Sequence, residues 1–230
     1  MNNYPKKMIE KKIICLAAIV LAGVSITKAQ DAKVPLTTTI PPPLTVGTPV
    51  PIHLPNLETL DPNKKQELMV PAGTTNLALK KPVKSSDSDP LLGTLDMVTD
   101  GVKAADEGNF VELAPGKQWV QIDLGEKADI YGVWVWHFHS QARAYKGVVV
   151  QVSNDPDFID GVKTIFNNDA DNSNGLGAGT DPAYIETNLG RLMAAKEPAQ
   201  GRYVRLYSNG NTSNPSNHYI EVEVWGKPAK

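Results

Sequence analysis

Residues 203–208 and 219–225 constrain the fold of this chain most strongly. In Tyr203-Val204-Arg205-Leu206-Tyr207-Ser208 and Tyr219-Ile220-Glu221-Val222-Glu223-Val224-Trp225, apolar and polar side chains alternate nearly one for one. Successive side chains of a strand point to opposite faces, so a period of two means one buried face and one wet face. Val120-Gln121-Ile122-Asp123-Leu124 repeats the pattern. Glu221 and Glu223 are expected opposite Ile220, Val222 and Val224. Further β-branched and aromatic runs at 76–83, 130–138, 148–153 and 163–166 are bounded by Gly, Asn and Asp. From residue 76 onward only residues 190–196 suggest helix. The class is all-β, and the strand spacing suits an antiparallel sandwich without internal repeats.

The front of the chain is built differently. Lys6, Lys7, Lys11 and Lys12 precede an apolar run at 13–26, and Thr27-Lys28-Ala29 ends on a small residue. That is the layout of a signal peptide, residues 1–29, cleaved after Ala29; the run is too short for a lasting membrane span. An uncleaved signal anchor is the alternative. Residues 30–75 then carry nine prolines, among them Pro41, Pro42 and Pro43. Proline removes a backbone donor and blocks inner strands and helices, so this stretch reads as an extended linker. Residues 61–69 hold a candidate helical turn, with Asp61 as cap and Pro62 at the first helical position. The sandwich domain is expected over 76–226.

Cys15 is the sole cysteine and opens the apolar run, so it does not sit where a lipidation site would. A mature chain without thiols relies on a packed core, not on disulfides or thiolate metal sites. The formal charge is −2, and loss of five lysines and one glutamate with the signal leaves about −6. Such a surface disfavours nucleic acid and anionic membranes as partners. The expected location is periplasm, cell surface or extracellular space, with no stable membrane insertion after cleavage.

The order of the segments is more specific than any one of them. "NLALKKPV" precedes "VTDG", then "WVQIDLG", "IYGVWVWHF", "GVVVQVSNDPDF", "RYVRLYS" and "YIEVEVWG". This order resembles the discoidin family, which includes the C-type domains of coagulation factors 5 and 8 and bacterial sugar-binding modules. The resemblance covers 76–226 and implies a galactose-binding-like jelly-roll sandwich that binds a ligand and does not transform it. The cysteine pair of the coagulation-factor members is missing here, which moves the resemblance towards the sugar-binding branch. The glycine-rich insert at 167–180 is a second departure.

Three loops could carry chemistry. In Asp100-Gly101-Val102-Lys103-Ala104-Ala105-Asp106, carboxylates and turn carbonyls could gather the oxygens that a hard cation needs. A capped, solvated turn is the plain alternative. The resemblance implies a structural Ca²⁺ held by Asp100 and Glu221, with Asp106 in a slot usually filled by Thr or Ser, and carbonyls near Met97, Val102 and Ile220. The second loop, 167–181, begins Asp-x-Asp-x-Ser at Asp169. An EF-hand needs Gly sixth and Glu twelfth, where this loop has Asn174 and Thr180. It reads as a Gly/Asn-rich cover over one end of the sandwich, with a second cation site as the alternative.

The third loop follows Trp134-Val135-Trp136-His137-Phe138-His139. Alternation assigns the two tryptophans and Phe138 to one face and His137 and His139 to the other. His137, His139, Arg143 and Tyr145 together offer flat rings and planar donors, which suit C–H faces and vicinal hydroxyls of a glycan. The same groups could equally tie the sandwich rim together. Zinc at His137 and His139 would lack a third ligand, since His53 and His218 lie far away in sequence.

No nucleophile elbow, P-loop, dinucleotide fingerprint or His-Glu-x-x-His occurs. Acids fall mainly on turns and outer strand faces, so a glycosidase pair is not indicated. The chain is expected to be a non-enzymatic, exported module that binds a glycan or glycoconjugate. The alternative is an adhesion protein that grips another protein or an envelope polymer.

Overall fold

The computed structural model describes residues 1–2, 32–48, 50–59, 61 and 65–229. The expected signal peptide at 1–29 therefore lies almost wholly outside the described residues. Internal contacts divide the chain after Asp31, and Ala32–Lys230 forms the unit considered below.

Among the described residues the regular structure of that unit is β-strand, with one 3₁₀ turn at Leu95–Thr99. The strands are β1 (Lys33–Pro35), β2 (Met69–Pro71), β3 (Thr75–Asn76), β4 (Val83–Ser85), β5 (Val111–Leu113), β6 (Lys117–Trp136), β7 (Val149–Ser153), β8 (Lys163–Asn167), β9 (Arg191–Asn209), β10 (Asn217–Tyr219) and β11 (Glu221–Pro228). The main sheet runs β3-β11-β6-β9-β7-β8, with β4 added to β6. β1 pairs β2 and β5 pairs β10. All these pairs are antiparallel, and the chain is an antiparallel β-sandwich.

Two strands expected at 119–124 and 130–138 are one strand, β6, with an irregularity in the middle. Its register against β9 slips between Asp123 and Ala128 and again between Ile130 and Gly132. At the first slip Asp123 Oδ1 accepts the Gly125 N–H at 2.8 Å, and Gly125 takes φ +88°, a conformation that Gly adopts without steric cost. Such bulges bend a strand and increase its twist. The helix expected at 190–196 is instead the start of β9. Arg191, Leu192 and Met193 pair with Val135, Trp134 and Val133, so sheet pairing overrides local propensity.

Both faces of the later half of β6 are buried. Val133 and Val135 join the main core with Val120, Ile122, Val150, Val204, Leu206, Val222 and Val224. Trp134 and Trp136 form a second core with Leu36, Val70, Ala105 and Ile220, their rings stacked 5.6 Å apart. Leu36 and Val70 come from the proline-rich stretch. Burying a tryptophan removes roughly 200 Å² from water, worth about 5 kcal/mol as an upper bound.

The expected free linker is thus corrected. The described residues between 32 and 71 are laid along the sandwich as a strap, because the outer face of β6 and β11 carries more apolar surface than water tolerates. Leu36 N–H donates to the Leu68 carbonyl and Val46 N–H to the Ser140 carbonyl, at 2.8 and 2.7 Å. Asn188 Nδ2 donates to the Pro41 carbonyl at 2.7 Å, and Arg191 pairs with Glu58. Residues 62–64 of the expected helical turn lie outside the described residues; 65–68 are not helical.

Candidate ligand-binding site

Three loops meet where the strap crosses the sandwich. The β6–β7 loop bonds to the β9–β10 loop through Ala144 and Thr212, whose backbone N–H and C=O groups meet at 3.0 Å. The β8–β9 loop joins them through Glu186 N–H and the Arg143 carbonyl, at 2.9 Å. Three adjoining cavities, the first two sharing Ile52 and Ala142 and the last two Leu54 and Lys146, form a gutter between the strap and these loops. One end, about 570 Å³, is lined by Pro43, Leu44, Ile52, His139, Ala142 and Glu186. The middle, about 340 Å³, is lined by Pro51, His53, Ala142, Lys146, Thr212 and Ser213. The other end, about 410 Å³, lies between Leu54, Pro55 and Asn56 of the strap and residues 168–173.

The four residues expected at an exposed rim are close together but buried. His137, His139, Arg143 and Tyr145 are all 5% exposed or less. The His137 and Tyr145 rings stack at 4.4 Å. His137 Nδ1 lies 2.7 Å from Glu186 Oε1, and the Tyr145 hydroxyl lies 2.8 Å from His218 Nδ1. The Arg143 guanidinium covers the Phe138 ring at 4.5 Å and donates to Gln141 Oε1 at 2.7 Å. His139 Nε2 meets the Lys103 carbonyl at 2.9 Å. These side chains tie loop to loop beneath the surface. Of the four, His139 lines the 570 Å³ end of the gutter and Tyr145 the 410 Å³ end.

Burial shapes their electrostatics. Desolvation, and after it the positive charge of Arg143, pushes His218 down from 6.5 to about 4. A neutral His218 can accept the Tyr145 hydroxyl hydrogen at Nδ1. Desolvation raises the Tyr145 and Tyr219 hydroxyls well above their ordinary value, so both stay protonated.

Of the three carboxylates expected around a cation, Asp100 and Glu221 lie near each other. Glu221 is fully buried, and its Oε2 accepts the Gly101 N–H at 3.0 Å. Its Oε1 has no partner. Burial raises this carboxyl from 4.5 to about 8, and the nearby charges of Asp100 and Glu223 push the same way. A buried oxygen without a donor, in an excess of negative charge, fits a hard cation. Asp100 Oδ1 accepts Val102 N–H at 2.7 Å, which shapes the turn. Asp106 is exposed, and no group of three or more His, Cys, Asp or Glu among the described residues is placed to hold a metal. The three-carboxylate set is therefore not brought together; the pair Asp100 and Glu221 is.

Sequence reasoning missed Glu186, His218 and the strap. One signal was available: Leu36, Leu44, Val46, Ile52, Leu54 and Leu57 are threaded among the prolines, more apolar side chains than a solvated tether needs.

No family model matches the chain, and no curated protein matches it. Similar solved structures include carbohydrate-binding modules. One is chitosan-binding module 1 of a chitosanase/glucanase from Paenibacillus sp. IK-5, at 21% identity and TM-score 0.44, over 66% of this chain and 99% of that one. Another is the CBM32 of AlyQ in complex with 4,5-unsaturated mannuronic acid, at 20% identity and TM-score 0.44, over 62% and 92%. A third is a family 89 glycoside hydrolase from Clostridium perfringens, at 15% identity and TM-score 0.49, over 67% of this chain and 15% of that one.

Proposed function

We propose that the protein is an exported, non-catalytic carbohydrate-binding module that takes its ligand at the loop end of the sandwich. The gutter along the strap carries this reading. It is concave, its walls mix proline and aliphatic surface with amide, hydroxyl and charged groups, and its separate parts fall in the size range of small-ligand sites. Sugars present an apolar C–H face and a hydroxyl edge, and such a mixed wall serves both. A shallow site gains little area with which to offset the ligand's lost freedom, so affinity is expected near the millimolar range, about −4 kcal/mol.

A structural Ca²⁺ belongs to the same proposal. Asp100, Glu221 and turn carbonyls would hold it; when bound, the ion neutralises the Glu221 carboxylate and pins the Asp100 turn to β11. It acts on stability and loop placement, not on the ligand.

A glycan array probed with the intact protein tests the function directly. Reproducible binding of a defined glycan is expected. Silence across a broad panel sinks the carbohydrate reading and favours adhesion to a protein or envelope polymer.

A further inference from the structure

Lys103 lines none of the three gutter cavities, yet three sides of the 570 Å³ end are tied to it. The first side is the β6–β7 loop. His139 Nε2 meets the Lys103 carbonyl at 2.9 Å, and since a carbonyl only accepts, Nε2 carries the hydrogen. That bond sets the ring of a residue that is buried and lines the cavity. The second side is the strap. The Lys103 ammonium donates to Thr38 Oγ1, the Thr39 carbonyl and Thr39 Oγ1 at 2.6, 3.1 and 3.2 Å. A few residues further on, Pro43, Leu44 and Thr45 enter the lining.

The third side is the β8–β9 loop, where Asn188 lines the cavity. Trp136 Nε1 donates to the Asn188 carbonyl at 2.9 Å, and Asn188 Nδ2 donates to the Pro41 carbonyl at 2.7 Å. The Trp136 ring lies 4.9 Å from the Lys103 ammonium. These contacts close a ring, from Lys103 to Thr39, along the strap to Pro41, across to Asn188, on to Trp136 and back to Lys103. In a closed ring no member moves alone, so the spacing of the sides is fixed. The strap beyond it is lightly held. Among the described residues, one backbone hydrogen bond ties 42–48 to the sandwich, from Val46 N–H to the Ser140 carbonyl at 2.7 Å. Leu44 and Val46 are exposed. Few bonds and little buried apolar contact mark a segment that opens locally, so its place over the cavity depends on the ring that precedes it.

We infer that Lys103 is a positioning residue of the glycan site, a step that rests on the carbohydrate reading above. Its carbonyl places His139, its ammonium places the strap, and neither group lines the cavity. A wall already in place needs no ordering when a ligand enters, whereas a loose wall must be ordered at a cost in affinity. This role is separate from the ion pair with Glu223. The pair is a matter of two charges, whereas the strap is held through the hydroxyls of Thr38 and Thr39 and the Thr39 carbonyl.

Two variants of the intact protein separate positioning from stability. Lys103→Met with Glu223→Leu removes both charges together, which keeps the fold while the strap loses its ammonium. Thr38→Val with Thr39→Val keeps the ion pair and removes the two hydroxyls; it decides alone if the first variant does not fold. Amide hydrogen exchange at Val46 reads the strap without any ligand. Calorimetric titration with cellohexaose, mannohexaose, N-acetylchitohexaose and trigalacturonate reads the site. In both variants Val46 should exchange at least about tenfold faster than in the parent, while the melting temperature stays close to the parent's. Affinity for the probe that the parent binds best should fall about tenfold. A merely structural Lys103 would lower affinity only where melting falls too. Parent-like exchange at Val46, or parent-like affinity beside fast exchange, overturns the positioning role and leaves the carbohydrate reading standing. A parent that binds none of the probes and is silent on the array loses the carbohydrate reading and this role with it.

Discussion

The Lys103 ammonium lies 2.6 Å from Glu223 Oε1, with both side chains only 6% exposed. The pair joins the turn after Asp100 to the closing strand β11. The same ammonium donates to Thr38 Oγ at 2.6 Å and to the Thr39 carbonyl at 3.1 Å, so it also fastens the strap. Thr38 in turn donates to Glu223 Oε1 at 2.9 Å, and Trp225 Nε1 donates to Glu223 Oε2 at 3.0 Å. The ammonium also stands 4.9 Å over the Trp136 ring. One buried charge thus holds three segments that are far apart in sequence.

Removing one partner of a buried pair leaves the other charge uncompensated and costs about 3–5 kcal/mol. Lys103→Met should therefore lower stability by about that amount in denaturant unfolding. It should also expose the strap, so limited proteolysis should cut within 38–48 in the variant but not in the parent. Lys103→Met combined with Glu223→Leu should recover most of the loss. A double variant as unstable as the single one would mean that packing, and not charge, dominates here.

Gly190 should tolerate no side chain. It takes φ +60°, and an added Cβ would lie 2.7 Å from the Trp136 ring and 2.7 Å from the Val135 carbonyl. An L-residue in that region costs roughly 1–2 kcal/mol before any clash is counted. Gly190→Ala should lose at least about 2 kcal/mol, read by thermal unfolding. A neutral outcome would show that the β8–β9 connection shifts easily against β6.

What the sequence made legible follows from periodicity. Val120, Ile122 and Leu124 lie in the core as their alternation requires, and so do Val222 and Val224. Alternation says which residues share a face, but not what covers the other face. Glu221 and Glu223 do share a face opposite Val222 and Val224, yet that face is buried, with the two carboxylates 0% and 5% exposed. The Asp100 turn, the strap and Lys103 lie over it, and no local pattern encodes that long-range cover. The same gap explains the rim. The chemistry of His137, Arg143 and Tyr145 was visible, whereas their burial depends on Glu186, His218 and the neighbouring loops. The sandwich was thus readable in outline, and the cleft at 168–173 was not, because its facing wall comes from residues 54–56.

His218 should make the protein acid-sensitive. Its folded pKa of about 4 lies below the ordinary 6.5, so the unfolded chain binds a proton that the native state refuses. Its contribution is complete above pH 6.5 and is lost as pH falls towards 4, on the order of 2–3 kcal/mol. Unfolding at pH 4.5 and pH 7 should show that drop in the parent. His218→Asn should be less stable at pH 7, since the Tyr145 contact changes, but its stability should vary less between the two pH values. An unchanged slope would place the acid sensitivity on other groups.

Glu221 should act in the opposite sense, and calcium should cancel it. Its folded pKa of about 8 exceeds the ordinary 4.5, so the native state keeps a proton that the unfolded chain releases. Stability is fully present below pH 4.5 and falls as pH rises to about 8, where the buried carboxylate must ionise with Oε1 unpartnered. In chelator, melting should therefore drop between pH 6 and 8.5, and Glu221→Gln should remove most of that drop. A cation beside the ionised carboxylate favours the charged form, so added Ca²⁺ should raise melting more at pH 8.5 than at pH 6. A ligand that binds only the folded state adds about 2.7 kcal/mol at 100 times its Kd. Glu221→Gln and Asp100→Ala should each abolish the rise, whereas Asp106→Ala, exposed and outside any assembled cluster, should keep it. Identical melting with Ca²⁺ and with chelator at both pH values would leave Glu221 as a protonated buried acid, and no cation would be needed at this turn.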